Sequence, residues 1–111
     1  MTVQTTHRNE IPIKRLRMIL SAKLEPSKHS ETRNTVSSLY QKLALMTIAA
    51  RENELTSAKI LAADVGENYA TFQHAIAILE DKGIVTITER PKAGPNRMKT
   101  RWAVNWDAIK S

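Results

Sequence analysis

LTSAKILAADVGENYATFQHAIAILEDKGIV, residues 55–85, carries two helical periods, a turn and the start of a strand in one run. Ile60, Leu61 and Ala63 give a short helix over Ala58–Asp64 an apolar side, and the Thr56 hydroxyl before it is suited to cap the first turn. Gly66 permits a left-handed backbone position that ends a helix without a Cβ clash. Asn68 then caps a second helix, Tyr69–Lys82, in which Phe72, Ala75, Ile76 and Leu79 recur at i, i+3, i+4 and i+7 and must face inward. Gly83 closes that helix. Beyond it the period switches from helical to alternating: Val85, Ile87 and Glu89 point one way, and Thr86, Thr88 and Arg90 the other. After the turn-rich run Pro91–Asn96, a second alternating segment sets Thr100, Trp102 and Val104 on one face. The pair reads as a β-hairpin with a long loop.

Working outward toward the N-terminus, Val36, Leu39, Tyr40, Leu43, Met46, Thr47 and Ala50 form an apolar stripe on a longer helix that ends near Glu52, with Asn34 or Thr35 as its cap. Residues 26–34 are polar and read as a connector. Ile13, Leu16, Leu20 and Leu24, with Ile19 beside them, trace a helical segment between Pro12 and Pro26 that also bears Lys14, Arg15 and Arg17. Trp106 and Ile109 close the chain as cover for the core or as a contact surface. The resulting division is a flexible arm at 1–11, a basic amphipathic segment with its connector at 12–34, a folded domain at 35–106 and a tail at 107–111. The fold class is mainly α with a small β-hairpin (α+β).

The 111 residues suit one modest core. The formal charge of +6 is unevenly spread. Residues 1–34 carry seven Lys or Arg against three Glu, residues 35–83 four basic against six acidic groups, and residues 84–111 six against two. Both flanks are therefore basic and the middle mildly acidic, a distribution that favours a polyanionic partner through counterion release. The absence of cysteine excludes disulfides, thiolate metal sites and cysteine nucleophiles. His7, His29 and His74 are too scattered for a metal site or a nucleophile–base pair, and Gly94 lies in no phosphate-binding glycine pattern. The chain thus reads as a non-enzyme without cofactor or metal. No run approaches the roughly 20 apolar residues of a membrane helix, so the expected location is cytoplasmic, on the nucleoid when bound to DNA.

The run quoted above resembles the winged helix-turn-helix DNA-binding superfamily. Leu61-Ala62 and Gly66 match the positioning helix and turn, and Leu79-Glu80-Asp81-Lys82-Gly83-Ile84-Val85 matches the end of the recognition helix and the first wing strand. The likeness spans roughly residues 36–105 and implies a winged helix-turn-helix with an additional N-terminal helical segment. It implies further that the helix after Asn68 enters the major groove of double-stranded DNA with its N-terminal half foremost. With the inward residues removed, Asn68, Tyr69, Ala70, Thr71, Gln73, His74 and Ala77 are left to read bases or touch the backbone. Gln73 is suited to adenine, and the methyls of Ala70 and Thr71 to thymine.

That helix has no Arg, and its only Lys, Lys82, is at the far end. Affinity is therefore expected from the hairpin, where Arg90, Lys92, Arg97, Lys99 and Arg101 crowd around the tip, and from Arg15 and Arg17 near the N-terminus. Ile13, Leu16 and Leu20 are candidates for a homodimer contact. Ile78, where the superfamily pattern is polar, calls for cover by the N-terminal segment or by a partner chain. The reading that results is a dimeric, sequence-specific DNA-binding protein, acting in transcription or at a plasmid or phage replication or segregation site. The alternative is a protein-interaction adaptor that keeps the fold and uses the same helix and Ile78 to hold another protein.

Overall fold

The computed structural model describes residues 11–28, 35–95 and 97–110; of the expected arm (1–11) only Ile11 is in that set, and Asn34 and most of the connector lie outside it. The described elements are helices α1 (Ile13–Leu20), α2 (Ser38–Ala50), α3 (Ala58–Val65) and α4 (Tyr69–Asp81), strands β1 (Leu55–Thr56), β2 (Val85–Glu89) and β3 (Thr100–Val104), and a 3-10 turn at Trp106–Ala108. The chain is an α+β fold in which α2 and α3 pack on α4, and a three-stranded antiparallel sheet, ordered β1-β3-β2, packs against α2 and α4.

Caps and turns fix the central helices. Asn68 Oδ1 accepts from the Thr71 N–H at 3.1 Å, as the sequence predicts. Gly66 and Gly83 both sit at positive φ, 68° and 74°, where a side chain would be strained. Phe72, Ala75, Ile76 and Leu79 are all buried, and the Phe72 ring meets Tyr40 edge-on at 6.1 Å. The cap of α3 is Ser57 rather than Thr56; its hydroxyl accepts from the Ile60 N–H at 3.1 Å. Thr56 is instead drawn into β1 opposite Thr100, where its hydroxyl is buried with no hydrogen-bond partner. This third strand is absent from the sequence reading, because two residues are too short to show alternation. Asn53, at φ 67°, turns the chain from α2 into it and donates its N–H to the Trp102 carbonyl at 3.0 Å.

In β3, Thr100, Trp102 and Val104 are buried as expected. The alternation of β2 stops early: Ile87 pairs with Trp102 but Glu89 pairs with Arg101, so a bulge at Thr88 breaks the expected face.

Helix α2 departs most from expectation. It starts at Ser38, capped by Ser37, and its buried residues are Gln41, Ala44, Leu45, Thr47 and Ile48. Of the expected stripe, Leu39 is 74% exposed, and Tyr40, Leu43, Met46 and Ala50 are only partly covered. Lys42 is its one charged residue. A helix that is apolar nearly all round gives no periodic signal for which side faces in. Gln41 settles the choice. Its Nε2 donates to the Glu25 and Val36 carbonyls at 2.8 and 3.1 Å, and its Oε1 accepts from Lys82 Nζ at 2.8 Å.

That cluster fastens the N-terminal segment. Lys82 Nζ also donates to the Glu25 carbonyl at 2.9 Å, and burial lowers the pKa of this ammonium from its usual value. Ser27 and Val36 exchange backbone hydrogen bonds, and the Lys23 N–H reaches the Lys110 carbonyl at 2.7 Å. Ile19, Ala22 and Leu24 join the one core cluster, so the segment and the domain share a single interior. Within α1 only Ile19 is buried, and Leu24 lies beyond the helix end in extended chain. Ile78 is 2% exposed and belongs to that same cluster. Its cover is the chain's own core, so it is withdrawn from the dimer contacts.

Candidate nucleic-acid interface

Helix α4 runs to Asp81, turns at Gly83, and β2 then returns alongside it. The loop after β2 is thereby brought back to the end where α4 begins. Between them lies a cleft of about 230 Å3, lined from the helix by Tyr69, Gln73 and Ala77 and from the hairpin by Arg90 and Met98. Glu80 and Trp102 meet in its wall, where the indole N–H donates to the Glu80 carboxylate at 2.8 Å. The leading turn of α4 is open: Asn68, Tyr69, Ala70, Thr71 and Gln73 are all exposed, with Tyr69 at 47%. His74 and Ala77 are half-buried.

The hairpin cations divide into two kinds. Arg90, Lys92 and Arg97 are exposed, Lys99 is half-buried, and none of the four forms an ion pair with another described residue. Arg101 is already held. Its Nε donates to Glu89 at 2.8 Å and its guanidinium also reaches the Asn53 carbonyl, so it ties β2 and β3 to the end of α2. The expected role of Arg101 as a wing contact gives way to this structural one.

The N-terminal cations divide in the same way. Arg15 lies 3.6 Å from the Glu52 carboxylate and stacks over the Trp106 ring at 4.6 Å. Glu52 in turn accepts the Val104 N–H at 2.9 Å. Arg15, its side chain 47% exposed, thus bridges α1 to the end of α2 and to the C-terminal turn. Arg17 is exposed on α1 and is held by no ion pair among the described residues.

Sequence reasoning missed Met98 and Glu80. Met98, 80% exposed between Arg97 and Lys99, was visible as an apolar residue in a basic turn, whereas the Glu80–Trp102 hydrogen bond joins residues far apart in the chain and left no local signal. Among the described residues no group of three His, Asp or Glu side chains is placed to hold a metal ion, and no helix is long and apolar enough to cross a membrane. No family model, characterised protein or solved structure matches the chain.

Proposed function

We propose that this protein binds double-stranded DNA in the manner of a winged helix-turn-helix, with the first half of α4 in the major groove and the hairpin tip on the adjoining backbone. The observation that carries the reading is the shared cleft. It sets the open turn of α4 beside Arg90 and Met98 of the hairpin, whose loop also carries Lys92, Arg97 and Lys99, and none of these four cations has an acidic partner among the described residues. An α-helix fits a major groove about 12 Å wide. A basic loop rich in Gly and Pro fits the phosphates flanking it.

The division of labour follows from residue type. Arg90, Lys92, Arg97 and Lys99 supply affinity that is the same for every sequence and falls with salt. Gln73, Thr71 and Ala70 supply preference, and with no Lys or Arg in that half of α4 the preference favours A·T pairs over guanine. The described residues share one core. Regulation of transcription, or of replication or segregation of a plasmid or phage, would proceed by covering DNA or recruiting a partner. The adaptor alternative loses its main anchor, since Ile78 is buried.

A salt titration of the whole chain on random and genomic duplexes tests the reading. Binding that weakens steeply with salt, with a subset of fragments retained longest, is the expected result. No binding to any duplex at low salt would overturn it.

A further inference from the structure

The hairpin grips the helices through one of its two strands. Beyond Val85, at its base, no residue of β2 is buried, whereas Thr100 and Trp102 of β3 are covered. Trp102 is fixed from two sides. Its carbonyl accepts the Asn53 N–H at 3.0 Å, which anchors the backbone just past the end of α2. Its indole N–H donates to Glu80 Oε2 at 2.8 Å, which anchors the side chain to the last turn of α4. A buried indole N–H needs an acceptor, so the ring is oriented toward that carboxylate as well as packed. Ile76, one turn before Glu80, lines the same wall of the cleft.

A carboxylate is a costly choice in the wall of a cleft read as a polyanion site, because its charge opposes phosphate. Glu80 is paired with no Lys or Arg among the described residues. What it contributes there is an acceptor oxygen at one place. Glu80 stands ~16 Å along the helix from Tyr69, at about 1.5 Å per residue. Trp102 stands up to ~16 Å from Arg97, at about 3.3 Å per residue. Their contact is therefore the pivot of two arms of similar length, one ending in the open turn of α4 and the other in the basic tip. A rotation of ~10° at that pivot would carry the tip ~3 Å, more than a hydrogen bond of about 2.7–3.2 Å tolerates.

We propose that Glu80 and Trp102 are a positioning pair. Their hydrogen bond fixes the angle between the hairpin and α4, and so determines which backbone phosphates the hairpin cations reach while the leading turn of α4 lies in the groove. The choice of phosphates rests on the duplex-DNA reading above; the fixed angle does not. The pair touches no DNA itself and acts through Arg90, Lys92, Arg97 and Lys99. Its loss is therefore felt in the electrostatic contact and not in base preference. Gln in place of Glu80 keeps an acceptor oxygen and removes the charge, whereas Leu keeps approximate bulk and removes the acceptor.

Glu80→Leu should weaken binding of the whole chain to all duplexes at least about tenfold and lower the slope of log affinity against log salt by up to about 2. The preference that Gln73 confers should remain. A merely structural role would act otherwise: a smaller folded fraction lowers affinity by one factor at every salt concentration and leaves the slope alone. Glu80→Gln should keep the slope and bind at least as tightly as the unmodified chain. The angle is read without DNA, from the distance between spin labels on Lys59→Cys, exposed on α3, and Ala93→Cys, exposed in the hairpin loop of a chain with no cysteine of its own. That distance should be narrowly distributed with Glu80 or Glu80→Gln, and broad or shifted with Glu80→Leu. An unchanged distance in Glu80→Leu overturns the proposal, as does an unchanged salt slope. A Glu80→Gln chain as impaired as Glu80→Leu also overturns it, because charge rather than the acceptor would then be at work. Failure of the unmodified chain to bind any duplex would overturn the DNA reading instead, and the label distance would still decide whether the pair holds the hairpin.

Discussion

The two basic regions look equivalent as sequence and are built differently. Residues 1–34 and residues 84–111 each carry four more basic than acidic groups. In the first, Arg15 is taken up by Glu52 and Trp106, while Lys14, Arg17, Lys23 and Lys28 are exposed and form no ion pair with another described residue. The backbone at Lys23 and Glu25 is fastened through Gln41, Lys82 and Lys110. In the second, Arg101 alone is held by an acidic residue, and the four cations at the tip face solvent or the cleft. A positive charge already neutralised in the free protein gains little from a phosphate, because its Coulomb attraction is cancelled in part and its side chain must be released first. Charge counting locates both regions, and only the side-chain partners separate the cations that hold the chain together, Arg15 and Arg101, from those left to hold something else.

The largest test of that difference removes the free cations. Replacing Arg97 and Lys99 together by Gln should weaken binding to all duplexes and lower the slope of log affinity against log salt by up to about 2. Thermal stability should stay within about 0.5 kcal/mol, since neither residue is placed in an ion pair. Gln73→Ala should act on preference instead. It should cost ~1–3 kcal/mol at the one base pair it reads and leave the salt slope unchanged, as measured by competition between matched and singly altered duplexes. An equal loss on every sequence would remove Gln73 from base reading.

Arg15→Ala should show the opposite pattern to the hairpin pair. The substitution removes a partly exposed ion pair together with a cation–π stack, so stability should fall by about 1 kcal/mol in a denaturant titration. The salt slope should not move. If the slope fell by about 1 as it does for a phosphate contact, the distinction between engaged and open cations would collapse.

The centre of the fold was legible in the sequence because each signal there is local. Asn68, Gly66 and Gly83 declare their turns through their own backbone requirements, and Phe72, Ala75, Ile76 and Leu79 declare a face by spacing alone. The periphery was not legible, for specific reasons. Apolar side chains all round α2 concealed which side faces in, and a buried Gln41, satisfied by carbonyls from residues 25 and 36, decided it. Strand β1 exists because Leu55 and Thr56 meet Arg101 and Thr100, a pairing far apart in the chain. The site was half legible. Residue type picked out the hairpin cations and the open turn of α4, but which cations are already paired depends on Glu52, Glu89 and Asn53, and nothing near Arg15 or Arg101 in sequence announces a claim on the charge.

The same contrast between engaged and open groups reaches the chain's two tyrosines, and it has a pH signature. Tyr69 is exposed on the first turn of α4, whereas the Tyr40 hydroxyl is buried with no hydrogen-bond partner. Burial first, and the nearby Glu67 carboxylate second, push the Tyr40 pKa up to about 12 from 10.0. A pKa raised in the folded state means that the unfolded chain loses its proton first as pH rises. The stabilising effect of keeping Tyr40 neutral is therefore whole below pH 10 and diminishes progressively between pH 10 and about 12. In Tyr69→Phe only Tyr40 remains to ionise, so the tyrosinate absorbance of that variant should rise with a midpoint near 12 instead of near 10. A midpoint near 10 with the helix signal intact would mean that the hydroxyl reaches water, and that the side of α2 against Phe72 is looser than the core beside it.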